Sequence, residues 1–78
     1  MIEIIEAKYS SEYKLWVKFN NGKSGIIDLE EHLWGPAFEP LKNIDFFKQV
    51  EVSRTLGTIT WPNEVDFAPE FILENIAI

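Results

Sequence analysis

The amino-acid sequence predicts a single α+β domain over residues 1–78: a small antiparallel β-sheet of about five strands and two hairpins, with short helices and a C-terminal helix packed on one side. Three observations predict this class. Apolar and polar residues alternate along the early segments, turn residues separate the apolar runs by short intervals, and capping residues and prolines mark brief helical turns. No segment has the spacing of a strand–helix–strand unit, so the sheet is expected to be antiparallel.

The first half of the chain contains the clearest strand signals. Residues 2–9 alternate in polarity, but the facing changes at residues 4–5, which predicts a β-bulge there. Between Tyr13 and Phe19 apolar residues recur at every second position, as on a half-buried strand. Asn20-Asn21-Gly22 tolerates positive φ and predicts a hairpin whose returning strand covers residues 23–27.

Short helical segments are expected in the middle of the chain. Asp28, followed by Glu31, matches an acidic capping box, so a helical turn is predicted through Leu33. Residues 34–40 contain two prolines and are predicted to be a loop pinned by aromatic packing. Residues 43–48 carry an Asn cap, an acidic first turn and a basic end, which predicts one or two helical turns.

The second half predicts another hairpin and the final helix. Glu51–Ser53 and Thr58–Trp61 are β-branched runs joined by the turn residues 54–57. The last helix is expected to begin between Asp66 and Pro69, because proline is tolerated in a first turn. The tail 71–78 is unusually apolar for a chain end. It is expected to dock on its own sheet or across a two-fold axis, and a homodimer is therefore one prediction.

Composition narrows the class of partner. The chain has thirteen acidic and seven basic side chains and a net charge of −6, which opposes binding to phosphate backbones, so no direct nucleic-acid contact is expected. A small and basic protein is the expected partner. The absence of cysteine excludes disulfides and thiolate zinc sites. Glu3 and Glu6 interrupt the apolar start and no apolar run is long enough for a membrane span, so we expect a cytoplasmic protein without a secretory leader.

The sequence offers few groups for catalysis or metal binding. The densest cluster consists of Asp28, Glu30, Glu31 and His32. Helix capping already accounts for two of its carboxylates, and the ligand set is incomplete, so no metal is expected. The Ser10-Ser11 pair lacks a nucleophile elbow, and the glycine spacing matches no phosphate-binding loop. We therefore expect no catalytic residue and no cofactor.

One segment is predicted to form a partner-binding face. Trp61 stands at a strand end beside a proline turn, followed by Asn63, Asp66 and Glu70, and an aromatic ring ringed by polar groups is typical of binding hot spots. Trp34 is added from the neighbouring loop. Two alternatives stay open. In the first, Trp61 belongs to the core, Asn63 shapes the turn and Asp66 caps the last helix. In the second, an aromatic pocket around Trp34 and Trp61 serves a small-molecule sensor or an enzyme.

The order of motifs resembles a known family across nearly the whole chain. The motifs are Leu15-x-Val17-x-Phe19-x-x-Gly22, Gly25-Ile26-Ile27-Asp28-Leu29, Phe38-x-x-Leu41, Phe46 with Val50, and Gly57-Thr58-Ile59-Thr60-Trp61-Pro62-Asn63 with Asp66 and Pro69-Glu70. This pattern resembles the small bacterial domain of unknown function 2442. This chain departs from the family pattern at Glu64, where a glycine is expected after Asn63. The resemblance implies an α+β fold, no established enzymatic activity, and toxin–antitoxin-like gene pairs. Some longer members look like fusions to a helix-turn-helix domain.

The incomplete ligand set predicts that the domain folds without metal. Thermal melts with and without a chelator are expected to coincide. A loss of several degrees on chelation would contradict this expectation and would direct attention to Asp28 and His32.

Overall fold

The computed structural model describes residues 1–77 and confirms the α+β class. Its strands are β1 (Ile4–Ser11), β2 (Lys14–Phe19), β3 (Ser24–Asp28), β4 (Glu51–Ser53) and β5 (Thr58–Thr60). Its helices are α1 (Ile44–Phe47) and α2 (Pro69–Asn75), with 3₁₀ turns at Glu30–His32 and Glu39–Lys42. The five strands are as predicted, and both predicted hairpins, β2–β3 and β4–β5, are present, but β1 and β2 form a further hairpin and the strands are divided between a three-stranded and a two-stranded antiparallel sheet.

The first sheet has the order β1-β2-β3 and contains the predicted bulge. The β1–β2 register shifts between Ile4 and Glu6, where the polarity pattern changes its facing. The turn between β2 and β3 uses Gly22 at a φ of 88°, in the left-handed region that glycine adopts without strain. Asn20 at this turn also accepts a hydrogen bond from the Glu3 amide (3.1 Å) and donates one to the Met1 carbonyl (2.8 Å). The hairpin tip therefore fixes the start of the chain.

The second hairpin, β4–β5, lies beside β1 without continuing its ladder. The Ile4 amide donates to the Gly57 carbonyl at 2.9 Å, in the turn of the second hairpin. The register shift in β1 coincides with this contact, and a bulge disrupts the regular spacing that a continuous ladder needs. This accounts for two small sheets in place of one.

The capping box predicted for Asp28 and Glu31 is wrong. The Asp28 carboxylate accepts from the Glu30 amide at 3.0 Å, two residues on, which is an Asx turn. The helical turn that follows is a 3₁₀ turn whose N-cap, Leu29, makes no side-chain cap bond. The Asn43 cap is confirmed, since its side chain accepts from the Phe46 amide at 3.2 Å.

The predicted loop over residues 34–40 is irregular only in its first part. A 3₁₀ turn, Glu39–Lys42, already begins within it, with a proline near its N-terminus. Proline lacks an amide hydrogen, and the first amides of a helical turn have no internal partner, so Pro40 is compatible with this position. A count of prolines alone therefore overestimates the length of the loop.

The final helix begins at Pro69, within the predicted range, but Asp66 does not cap it. Its N-cap is Ala68, which makes no side-chain cap bond. Beyond α2 the chain pairs with the edge of β3, where Ala77 exchanges two backbone hydrogen bonds with Ile26 (2.8 and 3.3 Å). Gly25 permits this approach, because a Cβ there would lie 2.6 Å from the Ala77 carbonyl oxygen. Docking of the tail on its own sheet is thus confirmed up to Ala77, and Ile78 lies outside the described residues.

The core lies between the inner face of the first sheet and the segments that follow it. Its buried side chains are Ile4, Leu15, Val17, Phe19, Ile27, Leu29, Leu33, Leu41, Phe47, Ile59, Trp61, Phe67 and Ile72. Trp61 is the largest of them and is only 2% exposed. Its indole Nε1–H donates to the Phe47 carbonyl at 2.8 Å, so the polar end of the ring is satisfied inside the core. No helix within residues 1–77 is long and apolar enough to cross a membrane.

Trp61→Ala is expected to lower the free energy of unfolding by about 3–5 kcal/mol, because it leaves a large cavity and an unpaired carbonyl. Trp61→Phe keeps the aromatic packing and is expected to cost less, so it serves as a measurable variant if the alanine form does not fold. Trp34→Ala, at a side chain 73% exposed, is expected to change stability by less than about 0.5 kcal/mol. Urea unfolding of the three variants checks these values; equal losses for Trp61→Ala and Trp34→Ala would contradict this account of the core.

Candidate functional site

An aromatic groove lies on the surface beside the exposed Trp34. It has a volume of about 250 Å³ and is lined by His32, Trp34, Phe38, Phe67 and Phe71. Trp34 forms one wall with most of its indole in solvent, at 73% exposure. Large aromatic side chains contribute strongly to interface energies when a partner covers them. The aromatic groove is therefore the candidate binding site.

The floor of the aromatic groove is held by ring contacts. Phe67, which is buried, stacks on Phe71 with centroids 5.8 Å apart and planes inclined by 16°. Phe38 packs against Phe67 at 5.0 Å, and His32 meets Phe71 edge-on at 4.9 Å. The rings come from three separate segments: the first 3₁₀ turn, the loop before the second one, and the region of α2. Core packing thus fixes the groove, while Trp34 stands free at its rim.

Trp61 does not belong to an exposed binding face, and that part of the sequence prediction is wrong. The side chain lies beneath the groove, where it contacts Phe67 edge-on at 6.0 Å and Phe47 at 5.7 Å. It supports the groove floor from the core side. The pocket expected around Trp34 and Trp61 therefore exists only on the Trp34 side, with phenylalanines in place of Trp61.

The polar residues predicted beside Trp61 are exposed, but they do not line the aromatic groove. The Asn63 side chain donates to the Ala37 carbonyl at 3.2 Å, and so ties the turn after β5 to the loop that carries Phe38. The backbone of Asp66 bridges to Thr60. Glu70 lies in the first turn of α2. Among the five predicted site residues, only Trp34 lines the groove, and binding through the other exposed residues stays a prediction.

An acidic hollow adjoins the aromatic groove at His32. It has a volume of about 380 Å³ and is lined by Asp28, Glu30, Glu31 and His32. Within residues 1–77 no group of three or more His, Asp or Glu side chains is arranged to hold a metal ion. One carboxylate oxygen of Asp28 is engaged by the Glu30 amide. The hollow thus gives one end of the groove a negatively charged border.

Sequence reasoning missed four of the five residues that line the groove. None of His32, Phe38, Phe67 and Phe71 is among the predicted site residues. A partial signal was present: Phe67 and Phe71 are four positions apart where the last helix is predicted to begin, although in the structure Phe67 precedes the N-cap Ala68 and only Phe71 is helical. Nothing in the local sequence brings Phe38 to them, because that contact depends on tertiary packing.

One protein-family model matches the chain over almost the same residues that form this fold. A model described as a protein of unknown function, DUF2442, matches residues 4–77, from the start of β1 to the residue that pairs with Ile26. The chain belongs to this family. The match covers nearly the whole domain, so the aromatic groove and the acidic hollow both lie inside the DUF2442 region. No curated protein and no solved structure matches the chain.

Glu64 gives this DUF2442 chain a strained turn. The residue stands where the resemblance leads us to expect glycine, and its φ is 68°. The Glu64 amide donates to the Trp61 carbonyl at 2.8 Å and Trp61 donates to Val65 at 3.1 Å, so the turn is closed despite the substitution. A non-glycine residue in the left-handed region costs about 1–2 kcal/mol. The turn is therefore retained at some expense in stability.

Glu64→Gly is expected to be more stable than Glu64→Ala by about 1 kcal/mol, because both remove the same carboxylate but only glycine relieves the left-handed strain. A difference of this size corresponds to roughly 4–8 °C in melting temperature for a domain of this length. Calorimetry of the two variants measures it. Equal melting temperatures would contradict the proposed strain.

Proposed function

We propose that this DUF2442 domain is a non-catalytic protein-interaction module whose aromatic groove docks a partner. The observation that carries the proposal is the exposure of Trp34, 73% of which faces solvent beside a groove of fixed rings. Isolated apolar side chains are common on protein surfaces, but a tryptophan beside a contiguous aromatic groove is typical of an interface. Covering such a ring removes a large apolar area from water.

The size and openness of the groove favour a protein partner over a small ligand. Pockets for drug-sized molecules enclose about 300–1,000 Å³ and bury most of the ligand. This groove, at about 250 Å³, lies near the lower end of that range, and most of its Trp34 wall is exposed to solvent, so it would leave much of a small ligand uncovered. A projecting side chain of another protein fits such a shallow site. A small-molecule sensor or enzyme, the alternative predicted from the sequence, would also use the groove beside Trp34. Identifying what binds at Trp34 distinguishes this alternative from a protein-interaction module.

The proposed setting follows from the acidity and the family. A net charge of −6 favours fast, oriented association with a basic protein. We propose that the domain works in the cytoplasm as the antitoxin-like or accessory member of a pair, in which it covers a surface of a small basic protein. Direct contact with nucleic acid is not part of this proposal, because few basic groups are available to displace counterions. A homodimer is the alternative assembly, and light scattering of the free domain tests it.

The test compares binding by the wild type, Trp34→Ala and the matched control Leu56→Ala. Leu56 is also an exposed large apolar side chain, at 55%, and lies in the turn of the second hairpin, outside the groove. A partner recovered from the native cell under mild salt is purified and titrated calorimetrically. We expect Trp34→Ala to weaken binding by about 30-fold or more, equivalent to roughly 2 kcal/mol, and Leu56→Ala to leave it unchanged.

Two further measurements test other binding surfaces and other ligands. Asn63→Ala with Asp66→Ala tests the remaining exposed residues of the face predicted from the sequence, and random duplex DNA added as competitor is expected to have no effect at physiological salt. Unchanged affinity in folded Trp34→Ala would contradict docking at the groove. Recovery of a small molecule that binds at Trp34 would favour the sensor or enzyme, and light scattering of the free domain reports on a homodimer.

A further inference from the structure

The aromatic groove and the acidic hollow meet at one side chain. His32 lines both of them, with its ring edge against Phe71. On one side of His32 the surface is aromatic, and on the other it is formed by carboxylate-bearing residues. An occupant that fills the groove and extends past His32 therefore enters a negatively charged region.

The carboxylates beside His32 are available to an incoming cation. Glu30 and Glu31 are exposed, and the ion pairs found within residues 1–77 join other partners, Lys14 with Glu12 and Lys42 with Glu39. Asp28 lies opposite Lys14 in the β2–β3 register, but Lys14 pairs with Glu12, and one Asp28 oxygen accepts from the Glu30 amide. Glu30 and Glu31 are therefore the exposed carboxylates of the hollow that are left for an incoming cation.

Among residues 1–77, two other aromatic side chains, Trp16 and Tyr9, are each covered by a lysine of the same chain, whereas Trp34 is not. The Lys8 ammonium lies 5.7 Å from the Trp16 ring, and the Lys48 ammonium lies 5.3 Å from the Tyr9 ring. No such cation–π contact to Trp34 occurs within residues 1–77. A cation over an aromatic face within about 6 Å is favourable, and the attraction grows when water is excluded. Trp34 therefore offers an aromatic face that a partner's cation can occupy.

We infer that the groove and the hollow form one bipartite site that binds a protein segment carrying a large aliphatic side chain next to an arginine or lysine. The aliphatic side chain fills the aromatic groove, and the cation lies between the Trp34 ring and the Glu30 and Glu31 carboxylates. Arginine suits this position best, because its planar guanidinium both stacks on rings and pairs with carboxylates. This inference rests on the proposed function and specifies the chemistry of its partner.

The charge distribution argues against the other occupants of such a groove. A second copy of this chain would bring a net charge of −6 towards an acidic border. An anionic membrane surface would be repelled by the same carboxylates. A segment with a cation beside its apolar anchor is the occupant that satisfies both halves of the site.

The test uses three capped synthetic peptides of equal length. The first alternates leucine with arginine, the second has glutamine for each arginine, and the third has glutamine for each leucine. Amide and indole NMR signals of the labelled domain report the binding site, since Trp34 has an indole N–H distinct from those of Trp16 and Trp61. We expect the leucine–arginine peptide to shift the Trp34 indole and the amides of Glu30–His32, with an affinity about tenfold higher than that of either other peptide.

Charge variants provide the matched control. Glu30→Gln with Glu31→Gln is expected to weaken the leucine–arginine peptide about fivefold or more, and the advantage is expected to fall as salt rises. Glu6→Gln with Glu51→Gln removes the same charge from exposed positions on the strands and is expected to leave the affinity unchanged. Equal effects of the two double variants would show that only net charge acts, and would overturn the bipartite site.

The outcomes separate this inference from the proposed function. If the leucine–glutamine peptide shifts Trp34 as strongly as the leucine–arginine peptide, the groove docks apolar segments and the cation half is overturned. If no peptide shifts Trp34, the bipartite site is overturned, while the Trp34→Ala titration with the native partner decides the proposed function independently.

Discussion

The packing of Trp61 is the interaction on which both the fold and the candidate site depend. Its indole N–H reaches the Phe47 carbonyl at the end of α1, and its ring touches Phe47 and Phe67. One side chain on the residue after β5 thus connects the second hairpin, the short helix and the segment that leads into α2. In a domain of 78 residues, where the buried fraction of the surface is small, a single large side chain contributes a substantial part of the core.

The surface groove is a direct consequence of that core. Phe67 rests on Trp61 from above and in turn supports Phe38 and Phe71, so the rings form a continuous series from the interior to the solvent. Asn63 reinforces the arrangement, because its bond to the Ala37 carbonyl holds the loop that carries Phe38. Trp61 and Asn63, two members of the face predicted from the sequence, therefore support the groove from below and from the side.

Local sequence signals were sufficient for most of the elements and indicate the burial of Trp61, but not the exposure of Trp34. The bulge at residues 4–5 and the Asn20–Gly22 turn follow from polarity and from φ preferences, which act over a few residues. Trp34 and Trp61 both stand next to a proline turn, and composition does not distinguish them. Strand periodicity favours burial of Trp61, because it lies two positions after Ile59, and both side chains are buried. The exposure of Trp34 and the meeting of Phe38 with Phe67 depend on long-range packing, which no local pattern encodes.

The fixed floor and the free rim have different consequences for binding. Side chains that are already held by ring contacts lose little conformational freedom when a partner arrives, so more of the contact energy contributes to affinity. Phe67 and Phe71 are stacked before any partner is present, whereas Trp34 keeps much of its surface in water. The floor then supplies shape, and Trp34 supplies most of the additional buried area. In the proposed bipartite site, carboxylates at the border would act over a longer range than these contacts and would orient an approaching cation before the apolar surfaces meet. An acidic domain with a rigid aromatic floor therefore has a physical basis for selecting a basic and apolar segment, since neither charge nor apolar area alone satisfies both halves of the surface.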